Sequence, residues 1–275
     1  MTVAQALREA AARLAATSDT ARLDAELLMA QALGVSRSDL LLQHMDEPEP
    51  RSFATLVERR AAHEPVAYIL GRKEFFGREF LVAPGVLIPR MDSETTVAAA
   101  LDACPAPRSV LDCGVGSGAL LLTVLAERTG AEGVGIDRSA QALMIASANA
   151  AQLGLARRAQ LLLRDWSEPG WSGDLGRFDL VLANPPYVEN DAPIAPEVRR
   201  WEPEGALFAG PEGLDDYRAL LPQLSGLVAH GGAAVVEIGA TQAEAVARVA
   251  AAAGFSSELR HDLAGRPRAL ILRSL

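Results

Sequence analysis

Asn184, Pro185, Pro186 and Tyr187 follow directly on the apolar run "DLVLA" (179 to 183), so a buried strand ends in an amide, two imino acids and a phenol. Proline fixes φ and has no backbone donor, so Pro185 and Pro186 stiffen the exit from that strand. The Asn184 side chain and the Pro185 carbonyl can then present two acceptors on one side, matching the two hydrogens of a planar NH₂ group. Tyr187 supplies a ring for the flat face of that group. A second constellation, "VLDCGVGSGAL" (110 to 120), sets Asp112, Gly114, Val115, Gly116, Ser117 and Gly118 between a strand and a helix. Glycine is needed where the backbone turns sharply and a ligand must approach it without a Cβ in between. Nineteen residues past Gly118, Asp137 closes "GVGID", where its carboxylate can accept both hydroxyls of a ribose.

The order Asp-x-Gly-x-Gly-x-Gly also fits a dinucleotide fingerprint with Ala119 as its third small residue. Asp112 would repel a pyrophosphate, however, and suits a cation such as the amino or sulfonium part of S-adenosylmethionine. Trp166 in "RDW" (164 to 166) follows the third strand. It reads either as a flat surface for adenine or as a core or rim tryptophan. An amide nitrogen is a poor nucleophile because its lone pair is delocalised. Holding its hydrogens, with the nitrogen about 3 to 3.5 Å from a methyl carbon, supplies much of what a transfer needs. Fixed carbonyl dipoles stabilise the positive charge that develops on nitrogen.

The elements that position these residues form two patterns. From residue 3 to about 62 apolar residues recur at helical spacing: Ala4, Leu7, Ala11 and Leu14, then Leu23, Leu27, Leu28 and Ala32. Gly34 ends one helix, Ser36 can cap the next, and "DEPEPRS" precedes a last helix ending at "HEP". This predicts a small helical bundle over 1–70. A hairpin linker over 71–90 is expected, with aromatic and branched residues flanking Gly77-Arg78. From Ser109 short apolar strands alternate with Ala-rich helices, expected over 119–129, 139–153, 215–229 and 240–253. Strand then helix, repeated, implies a mostly parallel α/β sheet covered on both faces, spanning 91–275. The last two strands have no helix between them, so one is expected to run antiparallel.

Composition narrows the partners. The chain of 275 residues is 49% hydrophobic and 22% charged, with net charge −9. That balance argues against broad adhesion to nucleic acid or anionic membrane. Cys104 and Cys113 fit no metal spacing or disulfide framework, so no metal and a reducing, cytoplasmic location are expected. Residues 1–34 carry frequent charges and lack the apolar core of a signal peptide. His44, His63, His230 and His261 are scattered and read as surface or structural residues.

The sequence resembles the class I S-adenosylmethionine-dependent methyltransferases and, more closely, the release-factor glutamine N5-methyltransferase (HemK/PrmC) family. The stretches that carry the likeness are "EPVAYILGRKEFFG" (64 to 77), "VLIPR" (86 to 90), "LDCGVGSGA", "NPPY", "WEPEGALFAGPEGLDDYR" (201 to 218), "VEIGATQ" (236 to 242) and "DLAGRPR" (262 to 268). The resemblance implies a Rossmann-like sheet behind a helical substrate-docking domain. It implies methylation of the glutamine in the Gly-Gly-Gln loop of peptide chain release factors; a monomer is expected, though no motif speaks to the oligomeric state. By position, Gly114 to Gly118 and Asp137 would hold the cofactor, Trp166 would pack on adenine, and Asn184 to Tyr187 would hold the glutamine. The family's Pro-x-Thr-Glu is replaced here by "MDSE", so Met91 and Ser93 are expected to alter the start of the next helix. Cys113 and Val115 replace a usual Leu and Thr, a change that leaves backbone contacts intact.

Three other readings stand beside this one. An amino-methyltransferase for adenine or cytosine shares the chemistry but lacks a basic, aromatic recognition segment here. A nicotinamide-dependent oxidoreductase leaves Asn-Pro-Pro-Tyr without a role. A binding module without turnover would keep the same fold.

Overall fold

A computed structural model describes residues 1–275, and contacts divide the chain into two compact units. The first comprises Met1–Arg72 and Ile194–Trp201; the second comprises Lys73–Pro193 and Glu202–Leu275.

In the first unit α1 (Val3–Leu14), α2 (Ala21–Leu33), α3 (Arg37–Gln43), α4 (Phe53–Ala61) and α5 (Val66–Leu70) follow one another. Thr2 and Gln5 form a capping box on α1, which satisfies two donors that a helix start leaves open. Gly34 closes α2 at φ +71, and Ser36 caps α3 by accepting from the Asp39 N–H. The short α5 behind Pro65 has too few residues to show a period in the sequence. Leu7, Leu14, Leu28, Met29, Leu40 and Phe53 are wholly or almost wholly buried and make the core.

The helical spacing expected for α2 needs correction at Leu23, which is 41% exposed, while Asp24 and Glu26 are buried. An unpaired buried charge costs several kcal/mol, so such carboxylates survive only with partners. Asp24 takes Arg60 at 2.7 Å, and Glu26 takes Arg22 at 2.5 Å and Arg37 at 2.7 Å. Arg60 also meets Glu197 at 2.7 Å, tying the returning segment 194–201 into this unit.

The hairpin consists of β1 (Arg72–Phe75) and β2 (Arg78–Leu81). Its two turn residues are Phe76 and Gly77, at φ +49 and +69, one position earlier than the sequence indicates. This is the I′ geometry that matches strand twist. Phe76 tolerates it because its N–H is held by Glu94 Oε1 at 2.8 Å and its ring packs on the core.

The second unit continues through α6 (Glu94–Ala103), β3 (Ser109–Cys113), α7 (Ala119–Glu127), β4 (Glu132–Asp137), α8 (Ala140–Gln152), β5 (Ala159–Leu163) and β6 (Phe178–Ala183). After α9 (Pro196–Trp201), which counts with the first unit, come α10 (Asp215–Leu227), β7 (Val228–Glu237), α11 (Ala243–Ala252), β8 (Phe255–His261) and β9 (Pro267–Ser274). A single 3₁₀ turn, Met91–Ser93, precedes α6 where the sequence departs from the family pattern.

The strand order is β5-β4-β3-β6-β7-β9-β8, parallel except that β9 runs against both its neighbours. Alternate residues supply the two faces. Val110, Leu180, Leu182 and Val235 join one core with α6 and α7; Leu111, Val181, Val236 and Leu270 join the other with α10 and α11. Burial on both faces explains why these strands read as continuous apolar runs. The order reverses between β3 and β6, where such sheets open a crevice beyond their carboxyl ends.

Candidate active site

Register places the site. Cys113 pairs with Ala183, so Gly114 and Asn184 leave neighbouring strands side by side, about 5 Å apart as adjacent strands are. Cys113 also pairs with Ile136 and Asp137 with Leu163, so the glycine loop, Asp137 and residues 164 to 166 emerge along the same edge.

One cavity opens there. Its walls include Gly114, Val115, Gly116, Ser117, Asp137, Trp166, Asn184 and Pro186 from the sequence reading. Asp112, Gly118, Pro185 and Tyr187 do not line it. Gly118 starts α7 at φ +86, and a Cβ there would stand 2.7 Å from Leu122, so its role is helix packing. Asp112 lies beneath the loop, where one carboxylate oxygen accepts from the Leu121 N–H at 3.2 Å and the other has no partner. Burial drives this carboxyl up to about 7, aided by the nearby Asp137 charge and only partly offset by the Leu121 bond. An unpartnered buried acceptor under a glycine loop fits a cationic ligand or a bound water.

Asp137 is fixed from both sides. One carboxylate oxygen accepts from the Gly116 N–H at 2.9 Å and the other from the Ser139 N–H at 2.8 Å. Burial still outweighs those bonds and raises its pKa. Each oxygen keeps a further lone pair for a ligand hydroxyl. Gly114, at φ +83, is pressed against the Trp166 ring: a Cβ would sit 3.2 Å from it. Trp166 therefore walls the cavity, and its indole N–H donates to Asp216 at 3.2 Å. A glycine cradle, a ribose-type carboxylate and a flat indole together fit S-adenosylmethionine.

On the other wall the Asn184 side chain faces the cavity with no hydrogen-bond partner within the protein; the Pro185 carbonyl is likewise unbonded, while Pro185 is buried beside the wall and does not line it. Tyr187 stands behind them; burial, with the Glu237 charge, pushes its phenol up to about 12, so it stays neutral. Glu237 is itself buried and raised by desolvation, despite hydrogen bonds from Ser93 and Thr96. Ser93 thus spends its hydroxyl on Glu237 and leaves α6 without a side-chain cap.

Several positioning residues escape a reading of local motifs. Asn149 on α8 donates to the carbonyls of Ser117 at 2.8 Å and Leu81 at 3.0 Å, joining the glycine loop to β2. Glu202 is buried and holds the Ile88 N–H at 3.2 Å and Arg90 at 2.5 Å. Arg138 reaches the Gly205 carbonyl at 2.5 Å across the cavity edge. Their partners lie many tens of residues away in sequence, and nothing at short spacing announces them.

Two segments match described families, residues 5–71 the PrmC N-terminal domain and residues 80–198 the methyltransferase small domain. A release factor glutamine methyltransferase of Cereibacter sphaeroides is 42% identical over 281 residues, covering 99% of this chain and 99% of its own. That of Caulobacter vibrioides is 43% identical, covering 92% of this chain and 89% of its own. Among solved structures, a methyltransferase from Pyrococcus furiosus aligns with a TM-score of 0.54 at 14% identity, over 81% of this chain and 100% of its own. A ribosomal protein L11 methylase from Lactobacillus delbrueckii subsp. bulgaricus gives 0.50 at 21% identity, over 70% of this chain and 83% of its own. These two structures share the Rossmann-like sheet.

Proposed function

The chain belongs to the release factor glutamine methyltransferase family, and from that premise we propose a role for each wall of the cavity. It is an S-adenosylmethionine-dependent enzyme that methylates the side-chain amide nitrogen of a release-factor glutamine. S-adenosylmethionine supplies an electrophilic methyl group on a positively charged sulfur.

Gly114 to Ser117 pass close under the cofactor, Asp137 accepts its ribose hydroxyls, Asp112 supports the glycine loop from beneath, and Trp166 carries the adenine. Asn184 and the Pro185 carbonyl accept the two amide hydrogens of the glutamine, Pro186 shapes the floor, and Tyr187 backs the flat face. The methylated nitrogen is acidic and sheds its proton without a strong base, which agrees with the absence of an ionised base among these residues. The observation that carries this reading is the Cys113–Ala183 pairing, which brings the open Asn184 amide beside the glycine loop.

We assign the helical unit to docking of the release factor, with exposed Leu42, at 80%, among its contact residues. No helix is long and apolar enough to cross a membrane, and both cysteines are free, which supports work in the cytoplasm on a soluble partner. Mass spectrometry of a release factor after incubation with the protein and S-adenosylmethionine tests the assignment. One methyl group on the glutamine of the Gly-Gly-Gln loop is expected. Transfer to a DNA oligonucleotide instead would overturn it.

A further inference from the structure

We infer that Gln242 is a positioning residue for methyl transfer, because it pins the far end of the Asn184–Tyr187 segment. The inference rests on the role proposed for that segment.

Three constraints act on those four residues. The segment starts from β6, whose last residue, Ala183, is paired on both sides, with Cys113 and with Val236. Pro185 and Pro186 fix two φ angles along it. At the far end the Val188 N–H donates to the Leu207 carbonyl at 2.8 Å, which leaves the Tyr187 carbonyl, and there Gln242 acts. Its Nε2 donates to the Tyr187 carbonyl at 3.0 Å and to the Gly213 carbonyl at 3.1 Å, and its Oε1 accepts from the Gly239 N–H at 3.1 Å. Both ends of the amide are thus used, in a side chain only 8% exposed. A buried amide whose bonds join three separate chain segments is costly to disrupt, since each carbonyl left behind is unsatisfied.

The surroundings are shaped for this contact. Gly213 sits at φ +64, and a Cβ there would stand 2.3 Å from the Tyr187 oxygen and 2.7 Å from Gln242 Nε2. A Cβ on Gly239 would stand 2.6 Å from Gln242 Oε1. No other side chain bonds the Tyr187 carbonyl. Without Gln242 the peptide after Tyr187 keeps only the bond from the Val188 N–H to the Leu207 carbonyl at 2.8 Å, so its carbonyl side can tilt, and the Pro185 carbonyl and Asn184 shift with it. A misplacement of about 1 Å costs roughly a hundredfold in an oriented reaction, even when the altered residue is remote from the chemistry. Gln242 does not line the cavity, so cofactor affinity should be spared.

Gln242→Glu in the full chain tests this. It keeps size and acceptor but replaces the donor with a carboxylate facing two carbonyls. At neutral pH, turnover at saturating release factor should fall about tenfold to a hundredfold, while S-adenosylmethionine affinity by calorimetry stays at the parental value. As pH falls the glutamic acid regains one donor, so the deficit relative to the parent should shrink; a residue that only supports the fold would not give that rescue. Hydrogen exchange over residues 183–190 should be faster in the variant at neutral pH. Should Gln242→Glu fail to fold, Gly213→Ala presses on the same contact and should give the same split. Parental turnover with parental exchange would overturn the inference, as would equal losses of turnover and cofactor affinity. If the parent itself leaves release factor unmethylated, the substrate assignment fails, and the exchange measurement still decides whether Gln242 fixes the segment.

Discussion

On the β3 and β4 side of the cavity the chain turns through Gly114, Gly116 and Gly118 at φ +83, +54 and +86, whereas on the β6 side it leaves through two prolines with φ fixed. The first wall uses backbone that few other residues could adopt, and immobilises it with bonds from outside: Asp137 on Gly116, Asn149 on Ser117 and the Trp166 ring against Gly114. The second has its stiffness built into the chain and is closed at its end by Gln242 on the Tyr187 carbonyl and by the Val188 N–H on the Leu207 carbonyl. The difference follows from what each wall must do. On the proposed assignment, a cofactor with many polar groups would be gripped by a close-fitting loop, while a small amide would need only two acceptors held at a fixed angle.

Four substitutions probe that contrast, and the largest expected effect lies on the acceptor wall. Asn184→Ala removes one of two acceptors and should lower turnover at saturating release factor by roughly 10² to 10³ fold, by analogy with loss of one group that stabilises developing charge. Cofactor affinity measured alongside should change far less; equal losses would merge the two walls into one. Next is Asp112→Asn, under the glycine loop. The folded carboxyl titrates at about 7, above its ordinary 3.8, so the native state holds its proton more tightly than the unfolded chain does. The protein should therefore lose stability as pH rises from about 4 to about 7, by on the order of 4 kcal/mol at most. Urea unfolding at several pH values should show that slope reduced in the variant, and an unchanged slope would place the strain elsewhere.

Asp137→Ala removes both the expected ribose contacts and the anchor of Gly116, and should weaken S-adenosylmethionine binding by roughly 1.5 to 3 kcal/mol. Calorimetry checks it, and full affinity would deny the cofactor wall its main polar contact. The smallest effect is expected for Gly114→Ala, where left-handed backbone costs about 1 to 2 kcal/mol and the new Cβ meets Trp166. Adding Trp166→Ala should recover part of the stability lost, a non-additivity read from a double-mutant cycle.

The position of the cavity was legible because its two main segments are written in consecutive residues, although Asp112, Gly118, Pro185 and Tyr187 from those segments stand off its walls. Strand then glycine loop then helix, and strand then Asn-Pro-Pro-Tyr, declare type and position together, and the alternating order of β3 to β7 follows from apolar runs of strand length. What was not legible depends on distance along the chain. Asn149 sits in an Ala-rich helix and Glu202 in a polar loop, and each acquires meaning only from partners brought near by folding. The buried Asp24 and Glu26 defeated the apolar spacing of α2 because arginines neutralise them, Arg22 within the helix and Arg37 and Arg60 beyond it. The hairpin turn was misplaced by one residue because Phe76 adopts a conformation for which glycine or asparagine is the usual signal.

The Arg60–Glu197 pair has a consequence for how this molecule can be cut. Because Ile194–Trp201 belongs with the helical unit, the polypeptide crosses between units three times, after residues 72, 193 and 201. The unit is therefore not a detachable cassette. A truncation at Arg72 leaves Glu197 without its arginine and strands a helix in the loop between Asn-Pro-Pro-Tyr and Glu202, the residue that holds Arg90. Exchange of this unit between relatives must carry two pieces of sequence, and a graft of the first alone breaks a junction that no alignment of the N-terminal segment reveals.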